Sequence, residues 1–358
     1  MTEAMKGQLL GINGLGRIGK LSVWYHLHKK HFDGLVINVG REVGDNLEHL
    51  CDVLASDSTY GSLARFLGGV GSARTLKVID EAEGLIEAHG MPIRILRQAR
   101  NPKDIAWRKH GVRLVVDTTG AFADPTTPAE DPKGSLRGHL EAGAERVINS
   151  APFKIRDKAK KMPADSTMLI FGINHRRFDP KQHHVLSAAS CTTTGLAHMM
   201  KPLMEAEETS RILTASMSTI HAATNTQSVL DSVPKAAATD LRKNRAAMNN
   251  IILSTTGAAK ALEKVLPDTA ELGFMADSVR VPTQTVSLIN LNITFHAWLD
   301  DKGDPAVGRA FINELYRRAA EGQQKDLLIY TDRQNVSADL IGEPAAVVIE
   351  VSEGEDGT

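Results

Sequence analysis

Two short stretches carry residue types at spacings that could do chemistry. The first is Ser190-Cys191-Thr192-Thr193-Thr194-Gly195, a cysteine in a run of small hydroxyl residues between an apolar segment, Val185-Leu186-Ser187, and an apolar helical pattern. A cysteine at a helix start feels the partial positive charge of the unpaired N–H groups there, which favours the thiolate, the nucleophilic form. A lone cysteine is often only a small buried hydrophobe. The hydroxyls around this one describe instead an environment for anions and oxyanions. A nearby imidazole would favour the thiolate further and could carry protons, but spacing alone does not say which of the 13 histidines is close.

The second stretch is Gly14-Leu15-Gly16-Arg17-Ile18-Gly19, a G-x-G-x-x-G pattern that follows an apolar strand and opens a helix. In that context it is a phosphate-binding turn for a dinucleotide. Gly14 permits the tight turn, Gly16 lets a pyrophosphate approach the backbone, and Gly19 lets helix pack on strand. The helix N-terminus then offers N–H groups and partial positive charge. The second half of such a fingerprint is an acid about 20 residues on that bonds the adenine ribose. Here Val39 stands in that region, followed by Gly40, Arg41 and Glu42. An apolar residue followed by Arg suits a ribose 2′-phosphate, so NADP competence is expected beside NAD. Glu42 folding back as the acid, or Arg41 as a plain surface charge, are the alternatives.

The elements that must position these stretches follow from periodicity. Residues 8–13 and 35–39 are apolar strands flanking a helix over 21–30, a βαβ crossover. Further strands are expected at 76–79, 93–96, 112–117, 146–149 and 168–171, with a helix over 135–142. Alternation of this kind predicts an α/β fold with a Rossmann-type doubly wound parallel sheet. After Cys191 the pattern changes: a helix over 192–207, strands at 212–219, 284–289 and 291–298, and a helix over 305–322. This predicts an α+β catalytic domain with a mostly antiparallel sheet. The expected domains are 1–189 for dinucleotide binding and 190–340 for catalysis, with 341–358 as a segment returning toward the cofactor domain. The acidic, glycine-rich tail 352–358 reads as a solvated loop.

Composition narrows the class. The chain has 358 residues, 42% of them hydrophobic, enough for two cores. Lys and Arg number 42 against 43 Asp and Glu, so no basic surplus points to nucleic acid or a membrane surface. Two cysteines in so long a chain fit a reducing compartment better than a disulfide. No apolar run approaches the roughly 20 residues of a membrane helix, and the N-terminus lacks a secretory pattern. A cytoplasmic location is expected, and no metal cluster stands out.

The blocks also resemble a family. Ser187-Ala188-Ala189-Ser190-Cys191-Thr192-Thr193-Thr194 resembles the active-site signature of the glyceraldehyde-3-phosphate dehydrogenases, in their phosphorylating, bacterial-like form. The opening Gly11–Gly19 block is similar to that family's, as are Ser218–Asn225, Asn250–Ile252 with Ser254–Lys260, and Arg280–Thr283 with Val286-Ser287. Five blocks in family order are specific where one would not be.

The resemblance implies the chemistry. Cys191 attacks the aldehyde, His221 removes the proton, and inorganic phosphate cleaves the resulting thioester to give 1,3-bisphosphoglycerate. Thr224 and Arg280 would hold the substrate's phosphate. Ser190, Thr192, Thr256 and Gly257 would hold the attacking phosphate, with Lys243 where the family has an Arg. Asn13, Gly14, Gly16, Arg17, Ile18, Gly19, Val39, Arg41, Arg100, Thr118, Thr119, Gly120 and Ser150 would meet the cofactor. A homotetramer, with 223–249 as an inter-subunit loop, is likewise implied.

Departures accompany these matches. Val39 replaces an Asp, Thr226 replaces another, Thr194 replaces an Asn, Gly195 replaces a Cys, and Lys243 keeps a charge but loses a bidentate fork. The family's W-Y-D-N-E segment and final helix have no counterpart in this sequence: either the sequence is cut short or the cofactor site is completed differently, and activity is expected to fall sharply or vanish if the chain ends here. The alternatives left open are an erythrose-4-phosphate dehydrogenase and a non-catalytic nucleotide-binding paralogue.

Overall fold

The computed structural model describes residues 5, 7–296, 299 and 301–351. The expected tail 352–358 and the end of the expected strand 291–298 lie outside the described residues. The chain divides into two compact units: residues 1–169 with 176–189, and residues 170–175 with 190–358.

The first unit is built on β1 (Leu9–Asn13), α1 (Arg17–Lys29), β2 (Gly34–Asn38), α2 (Leu47–Ala55), a small hairpin of β3 (Ser56–Asp57) and β4 (Gly61–Ser62), and α3 (Leu63–Gly68). It continues with β5 (Leu76–Asp80), β6 (Leu85–Ala88), β7 (Met91–Leu96), β8 (Leu114–Asp117), α4 (Leu136–Glu141), β9 (Arg146–Asn149), β10 (Ser166–Met168) and β11 (Val185–Ser187). Nine strands form one sheet in the order β10-β11-β9-β8-β1-β2-β7-β6-β5. It is parallel from β10 to β7, and β6 and β5 add antiparallel at one edge. All five residues of β1 and of β2 are buried, as a central parallel strand covered on both faces requires. Leu10, Ile12, Leu35 and Ile37 share a core with Val23, Trp24 and Leu27 of α1 and Leu50 and Leu54 of α2. The Trp24 indole N–H donates to the Leu54 carbonyl at 2.8 Å, so the large ring is buried without an orphaned donor.

The second unit holds α5 (Cys191–Glu205), β12 (Ile212–Ala222), β13 (Ile252–Ser254), α6 (Ala258–Val265), β14 (Gly273–Val281), β15 (Ser287–Phe295), α7 (Arg309–Glu321), β16 (Leu328–Thr331) and β17 (Val347–Glu350). Four strands form a sheet in the order β13-β14-β12-β15. Its two outer pairings are antiparallel, and its central one, β12 with β14, is parallel. The sheet is thus mixed. Two strands expected at 284–289 and 291–298 are one, β15. Asn290 and Asn292 punctuate the sequence, but they fall on the exposed side of an unbroken alternation. Segment 284–286 is not strand, and Val286 turns to φ 68°.

Residues 341–351 cluster with the second unit, where β17 pairs in parallel with β16. Its Val347 and Ile349 pack with Leu203, Tyr316 and Leu328, which supplies the apolar partners that hold it there. Among the described residues no helix is long and apolar enough to cross a membrane.

Candidate active site

Cys191 is the first residue of α5. Ser190 is its N-cap: the hydroxyl oxygen accepts from the Thr193 amide at 3.1 Å and shares a hydrogen with the Thr193 hydroxyl at 2.7 Å. The sequence places the cysteine where the helix dipole acts on it. Its Sγ stands 3.5 Å from Nε2 of His221. Burial around the sulfur pushes the thiol up, but the hydrogen bond and charge of His221, with the contacts of Thr192, outweigh it and hold the thiol below its ordinary value. Cys51 is the control: it is buried in the first unit, and burial pushes its thiol up to about 11. One cysteine is activated and the other is inert.

His221 and Arg280 are partners in the parallel register of β12 and β14, so their side chains leave the sheet on the same face. Nδ1 of His221 lies 2.8 Å from the Ala222 carbonyl oxygen. Nη1 of Arg280 contacts that same Nδ1 and donates to the Ala222 carbonyl at 3.1 Å. Nε of Arg280 is buried without a partner. Burial lowers the guanidinium from its usual range, opposed by the charge of Cys191. Nucleophile, imidazole and guanidinium therefore form one connected group.

The remaining phosphate-site candidates bond locally. The Thr224 hydroxyl donates to Gln227 Oε1 at 3.2 Å and lies 2.8 Å from the Thr226 hydroxyl, which stands in the place of an acid. Thr256 accepts from the Ala258 amide at 3.2 Å beside Gly257, which caps α6 without a side chain. Lys243 accepts through its carbonyl from the Ser228 amide at 3.2 Å. Thr192 is buried, with its hydroxyl 4.0 Å from the Cys191 sulfur.

In the first unit the cofactor candidates gather at the carboxyl ends of β1, β2, β8 and β9, where a doubly wound sheet opens its crevice. Asn13, Gly14, Asn38, Val39, Gly40, Arg41, Arg100 and Thr119 line a cleft of about 350 Å³, together with Ala121 and Phe122. No carboxylate lines it. Gly14 holds φ 98°, and a Cβ at Gly19 would sit 2.1 Å from the Gly14 carbonyl oxygen, so both positions require glycine. A Cβ at Gly16 would meet nothing within 4 Å, which leaves the turn open to a ligand. Arg17 is steadied by Asp57 at 3.5 Å, and Ile18 is 57% exposed. The Thr118 hydroxyl donates toward the carbonyls of Asn13 and Gly14, both at 3.0 Å, Gly120 turns at φ 67°, and the Ser150 amide donates to the Asp117 carbonyl at 2.9 Å. Glu42 does not fold back into the cleft: its carboxylate pairs with Arg97 at 3.0 Å.

Beneath the cleft lies a buried polar chain that the sequence reading missed. Asp117 accepts from Asn13 Nδ2 at 2.8 Å and from the Thr119 hydroxyl at 2.6 Å, and Asn38 Nδ2 donates to Asn13 Oδ1 at 2.8 Å. Asn38 is 2% exposed, yet its Oδ1 has no partner. An open glycine turn, an uncapped helix start and an orphaned buried acceptor at a strand end fit a dinucleotide with phosphates and ribose hydroxyls.

Comparison with known proteins agrees with this arrangement. The family model described as "Glyceraldehyde 3-phosphate dehydrogenase, NAD binding domain" matches residues 9–125, and "Glyceraldehyde 3-phosphate dehydrogenase, C-terminal domain" matches residues 190–356. The chain belongs to the glyceraldehyde-3-phosphate dehydrogenase family. It is 33% identical over 346 residues to a glyceraldehyde-3-phosphate dehydrogenase of Streptomyces coelicolor, covering 96% of this chain and 88% of the relative. It is 34% identical to that of Geobacillus stearothermophilus, covering 95% and 87%. A Trichormus variabilis relative, glyceraldehyde-3-phosphate dehydrogenase 1, is 35% identical over 347 residues, covering 96% and 87%. The first unit carries the family's NAD-binding domain, and the chain is of the oxidoreductase class.

Proposed function

We propose that this chain oxidises D-glyceraldehyde 3-phosphate to 1,3-bisphosphoglycerate, with Cys191 as nucleophile and His221 as base. The observation that carries the reading is the 3.5 Å approach of Sγ to Nε2 at a helix N-terminus. The Cys191 thiol passes its proton to His221 and its sulfur adds to the aldehyde carbon, forming a C–S bond as the carbonyl π bond breaks; the resulting alkoxide takes that proton back, giving a hemithioacetal. With its Nδ1–H donating to the Ala222 carbonyl, His221 turns the Nε2 lone pair toward the reacting oxygen and takes its proton. Bound NAD supplies the hydride acceptor for this oxidation. Inorganic phosphate then attacks the thioester carbonyl, the C–S bond breaks, and the thiolate returns.

Thr224 and Arg280 bind the substrate's phosphate in this reading. Ser190, Thr192, Lys243, Thr256 and Gly257 bind the attacking one. Hydroxyls, backbone N–H groups and fixed cations suit two dianions beside a thiolate. Asn13, Gly14, Gly16, Arg17, Ile18, Gly19, Val39, Arg41, Arg100, Thr118, Thr119, Gly120 and Ser150 serve the dinucleotide. NADP is accepted as well as NAD, a reading supported by Val39, the exposed Arg41 and the absence of a carboxylate lining the cleft. The functional boundary runs between 189 and 190.

The enzyme is cytoplasmic and a homotetramer. Val229, Leu230, Val233 and Met248 in the 223–249 loop, with Ile251 beside it, are each at least 67% exposed, which supports a role for this region between subunits.

The test follows nicotinamide reduction with glyceraldehyde 3-phosphate, NAD or NADP, with and without inorganic phosphate. Phosphate-dependent reduction is expected, and Arg41→Ala should lower the NADP-to-NAD efficiency ratio. No reduction with either cofactor would refute the enzyme reading.

A further inference from the structure

Many cations of the first unit are paired where they stand. Arg94 meets Glu83 at 3.0 Å, Arg97 meets Glu42 at 3.0 Å, and Arg137 meets Asp165 at 2.7 Å. Segment 154–161 departs from this. It reads Lys-Ile-Arg-Asp-Lys-Ala-Lys-Lys, a dense run of cations in a chain whose Lys and Arg number 42 against 43 Asp and Glu. Lys154, Arg156, Lys158, Lys160 and Lys161 are all exposed, and among the described residues none of them forms a salt bridge.

The acids at hand are spent on the backbone. Asp157 Oδ1 accepts from the Ala159 amide at 3.0 Å, and the Lys160 amide donates to the Asp157 carbonyl at 3.0 Å, which closes a turn with Lys158 at its tip. Asp124 Oδ2 accepts from the Arg156 amide at 3.0 Å, and its Oδ1 accepts from the amide and hydroxyl of Thr126 at 2.9 and 2.7 Å. Burial pushes the Asp124 carboxyl up, and these bonds with the charge of Lys160 more than reverse it. Even with Asp124 and Asp157 both ionised, the cations outnumber them and the patch stays positive.

The segment is fastened beside the cofactor cleft. The Lys154 amide donates to the Ala123 carbonyl at 2.8 Å, and the Arg156 bond to Asp124 is a second tie. Ala121 and Phe122, next in the chain, line the cleft with Arg41 and Arg100. One Cα step is about 3.8 Å, so the base of the segment stands within a Debye length of the cleft wall, about 8–10 Å at physiological salt. A dinucleotide brings a pyrophosphate dianion, and NADPH a further phosphate. A positive surface beside a cleft raises the association rate of an anion by about 10–10³-fold.

We propose that segment 154–161 is a collecting surface for the cofactor's phosphates: it draws the dinucleotide toward the neighbouring cleft and sets the rate of loading, more for NADPH than for NADH. Its cations need not touch the bound cofactor. They act on the approach, so the association rate carries their effect and the dissociation rate does not. This rests on the reading of the cleft as the dinucleotide site.

Stopped-flow quenching of protein fluorescence by NADH and NADPH, with the full chain and no substrate, tests it. With Lys158→Gln, Lys160→Gln and Lys161→Gln combined, the association rate at about 0.02 M salt should fall about tenfold for NADPH and less for NADH. The dissociation rate and melting temperature should not change. The gap should close toward 1 M salt, where the screening length is about 3 Å. A control combining Lys29→Gln, Lys77→Gln and Lys109→Gln removes the same charge toward the amino ends of the parallel strands, away from the cleft, and should load like wild type. Equal slowing in both variants would make net charge the cause and overturn the proposal, as would an unchanged association rate in the first. If the first variant does not fold, Lys158→Glu alone, a charge reversal at the tip of the turn, serves by the same measure. Failure to bind NADH at any salt would refute the dinucleotide reading and this proposal with it, whereas binding at an unchanged rate refutes only the collecting surface.

Discussion

Trp107 decides where His139 keeps its proton. The indole N–H donates to Nδ1 at 2.9 Å, and since indole can only donate, Nδ1 presents a lone pair. The proton is on Nε2, which donates to Asp117 Oδ2 at 3.0 Å, with both side chains fully buried. Burial pushes the Asp117 carboxyl up, and its bonds from His139, Thr119 and Asn13 more than reverse this, so it is held below the usual range.

Removing this donor should be costly. His139→Phe leaves a buried carboxylate short of a partner and an indole N–H unpaired, for a loss of about 3–5 kcal/mol. A carboxyl with a depressed folded pKa stabilises above its unfolded pKa, and that stability disappears as pH falls through the folded value. The stability gap between wild type and variant, measured by urea unfolding, should therefore be largest near neutrality and narrow in acid. A gap independent of pH would contradict the assignment.

The thiol of Cys191 offers a direct reading of its neighbour. Because burial raises it and His221 lowers it, His221→Asn should move the pH midpoint of iodoacetamide alkylation upward. The same variant should lose about 10²–10⁴ in kcat. Cys51 should stay unmodified in the folded protein at every pH used. An unmoved midpoint would mean that His221 does not tune the sulfur.

Two glycines of one turn should behave oppositely. Gly19→Ala drives a methyl group to 2.1 Å from the Gly14 carbonyl oxygen and should destabilise the fold. Gly16→Ala meets nothing within 4 Å and should leave the melting temperature unchanged while weakening dinucleotide binding, followed by quenching of protein fluorescence. Equal effects on stability would undo the distinction.

Ser190 has two duties that can be separated. Its cap on α5 is worth about 1 kcal/mol, which Ser190→Ala should remove. Ser190→Asp should restore the cap. If the hydroxyl also binds the attacking phosphate, the KM for inorganic phosphate should stay high in Ser190→Asp, because a carboxylate repels it. Full recovery with Asp would leave capping as the sole role.

The strands of the first unit were legible because a parallel sheet covered on both faces writes itself as short apolar runs. β1 and β2 are such runs. The edge strand β5 and its neighbour β6 alternate and are partly exposed, and only β5 left a signal. The second unit was harder. β14, whose burial alternates weakly along Gly273–Val281, has little apolar periodicity, and its place beside β12 is a non-local pairing. Cys191 was legible from its hydroxyl neighbours. His221 was not legible from spacing, because its position depends on a strand pairing 59 residues apart in sequence. The chain Trp107–His139–Asp117–Asn13 went unseen for the same reason: each residue is ordinary alone. A signal did exist in part, since Asn13, Asn38 and Asp117 are polar residues ending otherwise apolar strands.

The pairing of His221 with Arg280 in one rung of the β12–β14 ladder has a consequence for how this protein can change. Side chains alternate between faces with a period of two, so inserting or deleting one residue within Gly273–Val279 would turn Arg280 to the opposite side of the sheet. Replacing either residue tunes the chemistry, but changing the length of the strand dismantles it. Variation in chain length is therefore tolerable in the connections on either side, such as 266–272, and forbidden in the strand itself. The ladder acts as a ruler, and the site can be edited letter by letter but not re-spaced.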